Sequence, residues 1–319
     1  QYLMARMIAL ENGMLSGWKS PVLNIGSATN SRTVVTSLIR EFPCNHALNP
    51  ITFESVDRVF LAPAIMNSFL FDYDVRQRLG GLNLSFFILD ESVFPRPQSL
   101  PALESSVLAL AACYDGAATV WLKNFEFLRA KQWRKNWAVS PHERLRQRVL
   151  ADALVSYLYG VDWKDLKYVL RDSDRAVEQY REGYFDPKGF WRIDRDKNPE
   201  LRHTVLSLVA FHDLQEKGLE AFLAQNDGEG WMIPEQLRLA DYGLGHDDRA
   251  QQYQPVASRM GPRFYDWQLN EDVERSWQEC AAHAELIRRI VPMPEADAAA
   301  SGIGDAVGAE KKTLQGALF

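Results

Sequence analysis

Apolar and polar positions group into short alternating stretches over the first hundred residues and settle into helical spacing later in the chain. Val34-Val35, Ile51-Thr52-Phe53 and Ser85-Phe86-Phe87-Ile88-Leu89 are β-prone runs bounded by Gly, Pro and Asn, and each predicts a short strand. Residues 62–79 predict a helix with Pro63 near its first turn and Gly80-Gly81 ending it. Pro95, Pro97 and Pro101 mark a boundary. Beyond it, Ser140-Pro141-His142-Glu143 is a helix start: Ser at the N-cap, Pro at the first helical position, Glu placed to close a capping box. Leu145, Val149, Leu150, Ala153, Leu154, Tyr157 and Leu158 follow at helical spacing until Gly160, with Arg144 and Arg148 four apart on an exposed face. Asp162 predicts the cap of a second short helix carrying Trp163, Leu166, Val169 and Leu170. Residues 201–218 predict a further helix, 231–262 mostly loop with short helical turns, and 271–291 a closing amphipathic helix.

The pattern reads as an α+β fold: a β-rich portion over 1–99, a helical spacer over 100–172, a mixed region over 173–291, and a flexible tail rich in Ala, Gly and acids over 292–319. With 46% hydrophobic and 24% charged residues in 319, wholesale disorder is excluded. No apolar run reaches the roughly 18 residues of a membrane span. Three scattered cysteines (Cys44, Cys113, Cys280) form no disulfide framework and fit a reducing cytoplasm. The start at Gln1, in what reads as mid-element sequence, suggests a fragment or a trimmed chain. The net charge of −6 hides an asymmetry: residues 1–150 carry 16 basic and 12 acidic side chains, residues 151–319 carry 20 and 30. The basic excess is sharpest from Lys123 to Arg148, where eight Lys and Arg face only Glu126 and Glu143. Such a local patch suits a polyanion even in an acidic chain.

Two stretches carry the candidate chemistry. In the first, a helix ending in Arg76, Gln77 and Arg78 leads through Gly80-Gly81 to Asn83 and the apolar run after it. Glycines let a backbone approach a phosphate closely, and Arg, Gln and Asn side chains can contact phosphates or base edges. The plain alternative is a helix C-cap with solvated arginines. The second stretch, Trp121 to Trp137, sets Trp121, Phe125 and Leu128 on one helical face, leaving Lys131, Arg134 and Lys135 either as a solvated face or as contacts for duplex phosphates.

The stretch from Asn67 resembles the target-recognition region of long adenine-N6 DNA methyltransferases related to type IIG restriction-modification enzymes and to phage-defence methylases of the DISARM kind. In that family a helix reading roughly N-S-x-x-F-D-Y-x-x-R-x-K-x-G-G precedes a strand and a proline-rich exit. Asn67, Ser68, Phe71, Asp72, Tyr73, Arg76, Gly80, Gly81 and Phe86 or Phe87 match it, Arg78 stands where the family often has Lys, and the Asn after the glycines is shifted to Asn83. Ile25-Gly26-Ser27-Ala28-Thr29-Asn30-Ser31-Arg32-Thr33-Val34 is similar to the family's stretch in which Arg-Thr precedes a β-run, without the usual acid. The resemblance implies double-stranded DNA as partner, S-adenosylmethionine as cofactor of the whole enzyme, and Arg32, Arg76, Gln77, Arg78, Gly80, Gly81 and Asn83 as DNA-binding residues.

This chain lacks the Pro-Pro motif with which such enzymes hold a flipped adenine, and its Asn24-Ile25-Gly26-Ser27 and Ser301-Gly302-Ile303-Gly304 stretches make no cofactor loop. The resemblance therefore implies a separate or upstream catalytic domain, with no catalytic, cofactor or metal residue expected here. Cys44/His46, Cys280/His283, His203 and His212 read as structural residues, and Asp194/Asp196 as solvated acids. At the other end, Gln315-Gly316-Ala317-Leu318-Phe319 resembles the pentapeptide by which bacterial proteins bind the replication sliding clamp, with Gly316 replacing a large apolar residue. The rival to a DNA reader is an interaction scaffold of a defence complex, its acidic half binding protein and no part touching DNA.

Overall fold

The computed structural model describes residues 18–40, 44–52, 61–95, 101–103, 138–173, 190, 194, 196–245 and 248–270, with isolated positions up to 282. The fold is mixed α+β. Strand β1 (Trp18–Leu23) lies between β2 (Ile39–Arg40) and β3 (Leu48–Thr52) in a small antiparallel sheet. The register pairs Leu23 with Leu48 and sets Pro21 opposite Pro50. Two residues without an N–H face each other at no cost only across a non-hydrogen-bonded rung. Pro21 O turns to the other side and accepts from Thr36 Oγ1 at 2.9 Å.

Three of the predicted elements differ. Val34-Val35 forms no strand of its own; Thr36 makes a single antiparallel bridge with Val22, and Leu23 N donates to Val35 O. The helix predicted over 62–79 is two helices, α1 (Leu61–Met66) and α2 (Phe69–Arg78). The break is specified by side chains that compete with the helix backbone. Ser68, in extended conformation, accepts from Phe71 N and caps α2, while the Asn67 amide accepts from Thr36 N at 3.1 Å and donates to Thr36 O at 3.0 Å. The strand predicted at 85–89 is instead a helix, α3 (Phe86–Asp90). A five-residue apolar run carries no decisive period. The extended pairing is already spent on Leu84, whose N–H donates to Asn24 O, and Ser85 O opens a helical ladder by accepting from Leu89 N.

Helix α4 (Pro141–Tyr159) starts and stops where the sequence places it, with Ser140 accepting from Glu143 N and Gly160 taking the left-handed conformation at φ 68°. The reciprocal half of the expected capping box is absent. The Glu143 carboxylate turns inward and accepts from Arg146 at 2.7 and 2.9 Å, from Gln147 at 2.8 Å and from Arg263 Nε at 2.6 Å. Arg146 goes on to donate to the carbonyls of Glu229 and Trp231, so this buried cluster ties the start of α4 to two distant loops. The complete box lies at Asp162 and Asp165, on α5 (Trp163–Lys167), which runs into a π-helical turn over Tyr168–Asp172. Helices α6 (His203–Lys217) and α7 (Leu219–Gly228) follow, then 3-10 turns, the short pair β4 (Gln236–Leu237) and β5 (Gln254–Pro255), and α8 (Asp266–Asn270).

One apolar core runs from Val22 through Phe69, Phe71 and Leu154 to Phe211, Phe222 and Val256. It crosses the sequence boundaries near 100 and 172, so the described parts of all three regions share it. No described helix is long and apolar enough to cross a membrane. The closing helix expected at 271–291 lies mostly outside the described residues, as do the Trp121-to-Trp137 stretch, Cys113, Cys280 and the C-terminal pentapeptide.

Candidate functional site

The two stretches that carry the family resemblance meet in space, and a buried carboxylate joins them. Asp72, on α2, is 0% exposed. Its oxygens accept from Thr33 N at 3.1 Å each and from Val34 N at 3.4 Å, and from Arg76 Nε and Nη2 at 3.3 Å. Arg76 Nη2 also donates to Asn30 O at 2.9 Å. Helix α2 buries Phe69, Leu70, Phe71 and Val75 around most of its circumference, which takes the Asp72–Arg76 pair into the interior with them.

Arg32 extends the network toward α4 and α6. Its Nη1 lies 3.9 Å from Asp72 and its Nη2 3.9 Å from Asp152, while its guanidinium stacks 3.8 Å over the Phe69 ring. Asp152 accepts from Phe69 N at 3.0 Å and stands 2.9 Å from His203 Nε2. Arg76 in turn lies 4.1 Å over the Phe190 ring, which meets Phe69 edge-on. Two arginines and two carboxylates thus balance inside an aromatic shell. Asp194, expected as a solvated acid, is buried and receives the His203 N–H, satisfying an orphan donor at the start of α6.

Burial lowers the Arg32 pKa, opposed by the charges of Asp152 and Asp72. Burial likewise holds His203 below the ordinary histidine range despite the pull of Asp152. Burial raises Asp194, opposed by His203. A histidine depressed in the folded state stabilises fully above its unfolded pKa of about 6.5, and that contribution is lost as pH falls from there toward the folded value. Asp194, raised, has the opposite slope in its own window above about 3.9. Chemical unfolding at pH 7.5 and pH 5.5 is expected to show a loss on acidification, at most about 1.4 kcal/mol per pH unit from one group. A His203→Gln variant should lose less; equal losses in both proteins would remove His203 as the source.

The predicted contact residues divide into four groups. Arg76 is corrected: at 0% exposure, with its donors turned to Asp72 and Asn30, it serves the interior and presents nothing to a duplex. Arg32, with 21% of its side chain exposed, reaches the surface only in part. Arg78, 29% exposed, donates to the Asp74 carboxylate and to Asp74 O. Gln77, Gly80, Gly81 and Asn83 are exposed. Lys131, Arg134 and Lys135 lie outside the described residues.

The exposed members lie along one rim. Gly26 N donates to Leu82 O at 2.9 Å, Leu84 N to Asn24 O at 2.7 Å and Asn49 Nδ2 to Leu84 O at 2.6 Å, while Ile25 bridges Asn83. The glycines of this rim differ in kind. A Cβ on Gly26 would stand 2.5 Å from Thr33 O, so the close approach of the two chain segments requires that glycine. Gly80 and Gly81 avoid the left-handed region, and a Cβ on either would meet nothing within 4 Å. Among the described residues, neither a positive φ nor a close contact calls for glycine there.

Sequence reasoning missed Asp152, His203, Asp194 and the Asn67–Thr36 pairing. The apolar residues flanking Asp72 and Arg76 on α2 were the available signal for the buried pair. Among the described residues no group of three or more His, Cys, Asp or Glu side chains is placed to hold a metal ion. No family model, curated protein or solved structure matches this chain.

Proposed function

We propose that this chain is the DNA-reading, target-recognition part of a site-specific adenine-N6 methyltransferase of a restriction-modification or phage-defence system. The catalytic domain, which moves a methyl group from S-adenosylmethionine to the exocyclic amine of an extruded adenine, lies outside this sequence. In this reading residues 1–99 read DNA, 100–172 form a spacer whose basic face, with Lys131, Arg134 and Lys135, tracks phosphates, and the chain works in the cytoplasm. The observation that supports the proposal is the rim: exposed Gly80 and Gly81, where a Cβ would meet nothing within 4 Å, lead beside Gln77 into Leu82, Asn83 and Leu84, which pair with the other resemblance stretch. Bare backbone there suits close approach by a phosphate. Exposed Ile25, Leu82 and Phe87 favour the rival, a scaffold that docks protein through the same surface.

A salt titration of duplex binding separates the two. Phosphate contacts give an affinity that falls steeply with salt, whereas a scaffold shows no duplex binding even at low salt. Gly80→Ala with Gly81→Ala supplies a second readout of opposite sign. The folded chain should gain about 0.4–1 kcal/mol per site through loss of unfolded-state entropy, while duplex affinity falls because the added methyl groups hold the phosphate off. A stabilised variant with unchanged duplex affinity would remove the glycines from the interface.

A further inference from the structure

We infer that Arg32, Asp152 and His203 form a proton-operated latch: protonating His203 draws the Asp152 carboxylate away from Arg32, and the guanidinium swings out into solvent. The latch is built on one oxygen atom. Asp152 Oδ1 is committed to Phe69 N at 3.0 Å. That leaves Oδ2 to face both His203 Nε2 at 2.9 Å and Arg32 Nη2 at 3.9 Å. The histidine already holds the nearer place.

Arg32 is held loosely for so enclosed a group. Its Nη1 is buried with no hydrogen-bond partner among the described residues, and both carboxylates beside it stand at 3.9 Å, beyond hydrogen-bond reach. Charge and the stacking 3.8 Å over the Phe69 ring keep it in place. Asp72 has no capacity left to take it over. A carboxylate offers about four acceptor sites, and Thr33 N, Val34 N and two nitrogens of Arg76 already fill those of Asp72. A route outward exists, since 21% of the Arg32 side chain is exposed and its neighbours Asn30 and Ser31 lie at the surface.

The charges around the histidine set the direction. Arg32 and Arg76 balance Asp72 and Asp152, so a proton on His203 makes this cluster positive, and Arg148 adds to the positive charge felt by Arg32. Asp194 also faces His203, but it meets the backbone N–H, and burial raises it toward its neutral form. The new proton turns the His203–Asp152 contact into a charge-assisted pair. Repulsion then expels whichever cation can reach water, and that is Arg32, whose donors recover their hydrogen bonds there. Because burial holds His203 below the ordinary histidine range, the latch works below about pH 6.5.

Protons over an aromatic face resonate upfield, so the Arg32 side chain reports its own position. The full chain, carrying isotope-labelled arginine and histidine, is followed by NMR from pH 7.5 down to the onset of acid unfolding, with the Arg32 signal assigned by its loss in Arg32→Lys. The Arg32 δ-methylene signal is expected to move downfield to the position of a solvated arginine, with the same midpoint as the His203 ring. That of Arg76, hydrogen-bonded over Phe190, should hold still. In His203→Gln the Arg32 signal should stay upfield throughout. Asp152→Asn, which keeps an acceptor for Phe69 N but loses the charge, should show the released position already at pH 7.5. The latch is overturned by an Arg32 signal that ignores pH or moves equally in His203→Gln, or by a His203 ring that stays neutral until the chain unfolds. Retention of the stacked position in Asp152→Asn overturns it as well, a result that stands even if His203→Gln fails to fold.

Discussion

Replacing Asp72 with alanine is expected to cost the fold about 3–5 kcal/mol, the range for removing one partner of a buried ion pair. The carboxylate meets Thr33 N, Val34 N and two nitrogens of Arg76, and Arg32 stands beside it, so its loss leaves buried donors and charge uncompensated together. Against the total of about 5–15 kcal/mol typical of a folded protein, that loss removes a large share of stability. It is read as a drop in the urea midpoint. Arg76→Ala should cost a comparable amount, and the double variant less than the sum, because the two changes remove one shared interaction. A loss below about 1 kcal/mol in either single variant, the scale of an exposed pair, would contradict the buried clamp.

Glu143→Ala is expected to have an effect of similar size at neutral pH, about 3–5 kcal/mol, since buried Arg146 loses its carboxylate and Arg263 keeps only that of Glu229. The pH dependence gives an independent check. Burial pushes the Glu143 carboxyl up, yet hydrogen bonds and charge from Arg146, and after it Arg263, outweigh burial and leave it below the ordinary glutamate range. A depressed acid stabilises fully above its unfolded pKa, about 4.3, and that stability is lost as pH falls through the folded value. The original chain should therefore lose stability on acidification below about pH 4.3. Glu143→Gln, which cannot titrate, should lose less over the same interval. Parallel acid curves for the two proteins would exclude Glu143 as a contributor.

What could be read from the sequence was local. Ser140, Pro141 and Gly160 bound α4 because caps and a left-handed glycine act within one turn, and Asp162 starts α5 for the same reason. The destination of the charges was not local. Asp72 and Arg76, four apart, have the spacing of a solvated surface pair; only the burial of α2 on most sides, and the distant Phe190 and Thr33, take them inside. Asp152 and His203 sit in sequence as ordinary helix residues, and their pairing depends on how α4 packs on α6. The turn at Gly80-Gly81 was legible as a turn. That a Cβ on either glycine would stand in open space emerged only from the structure.

The Asn67–Thr36 pairing has a further consequence, for association between chains. The segment through Thr36 extends the sheet by one bridge to Val22, and its outer peptide group would ordinarily stand open as a template for another extended strand. The Asn67 amide occupies that N–H and that C=O at once, in the manner of a neighbouring peptide. It can do so because the helix breaks there and frees the side chain to reach sideways. The interruption between α1 and α2 thus closes a sheet edge, guarding the molecule against strand addition at Thr36.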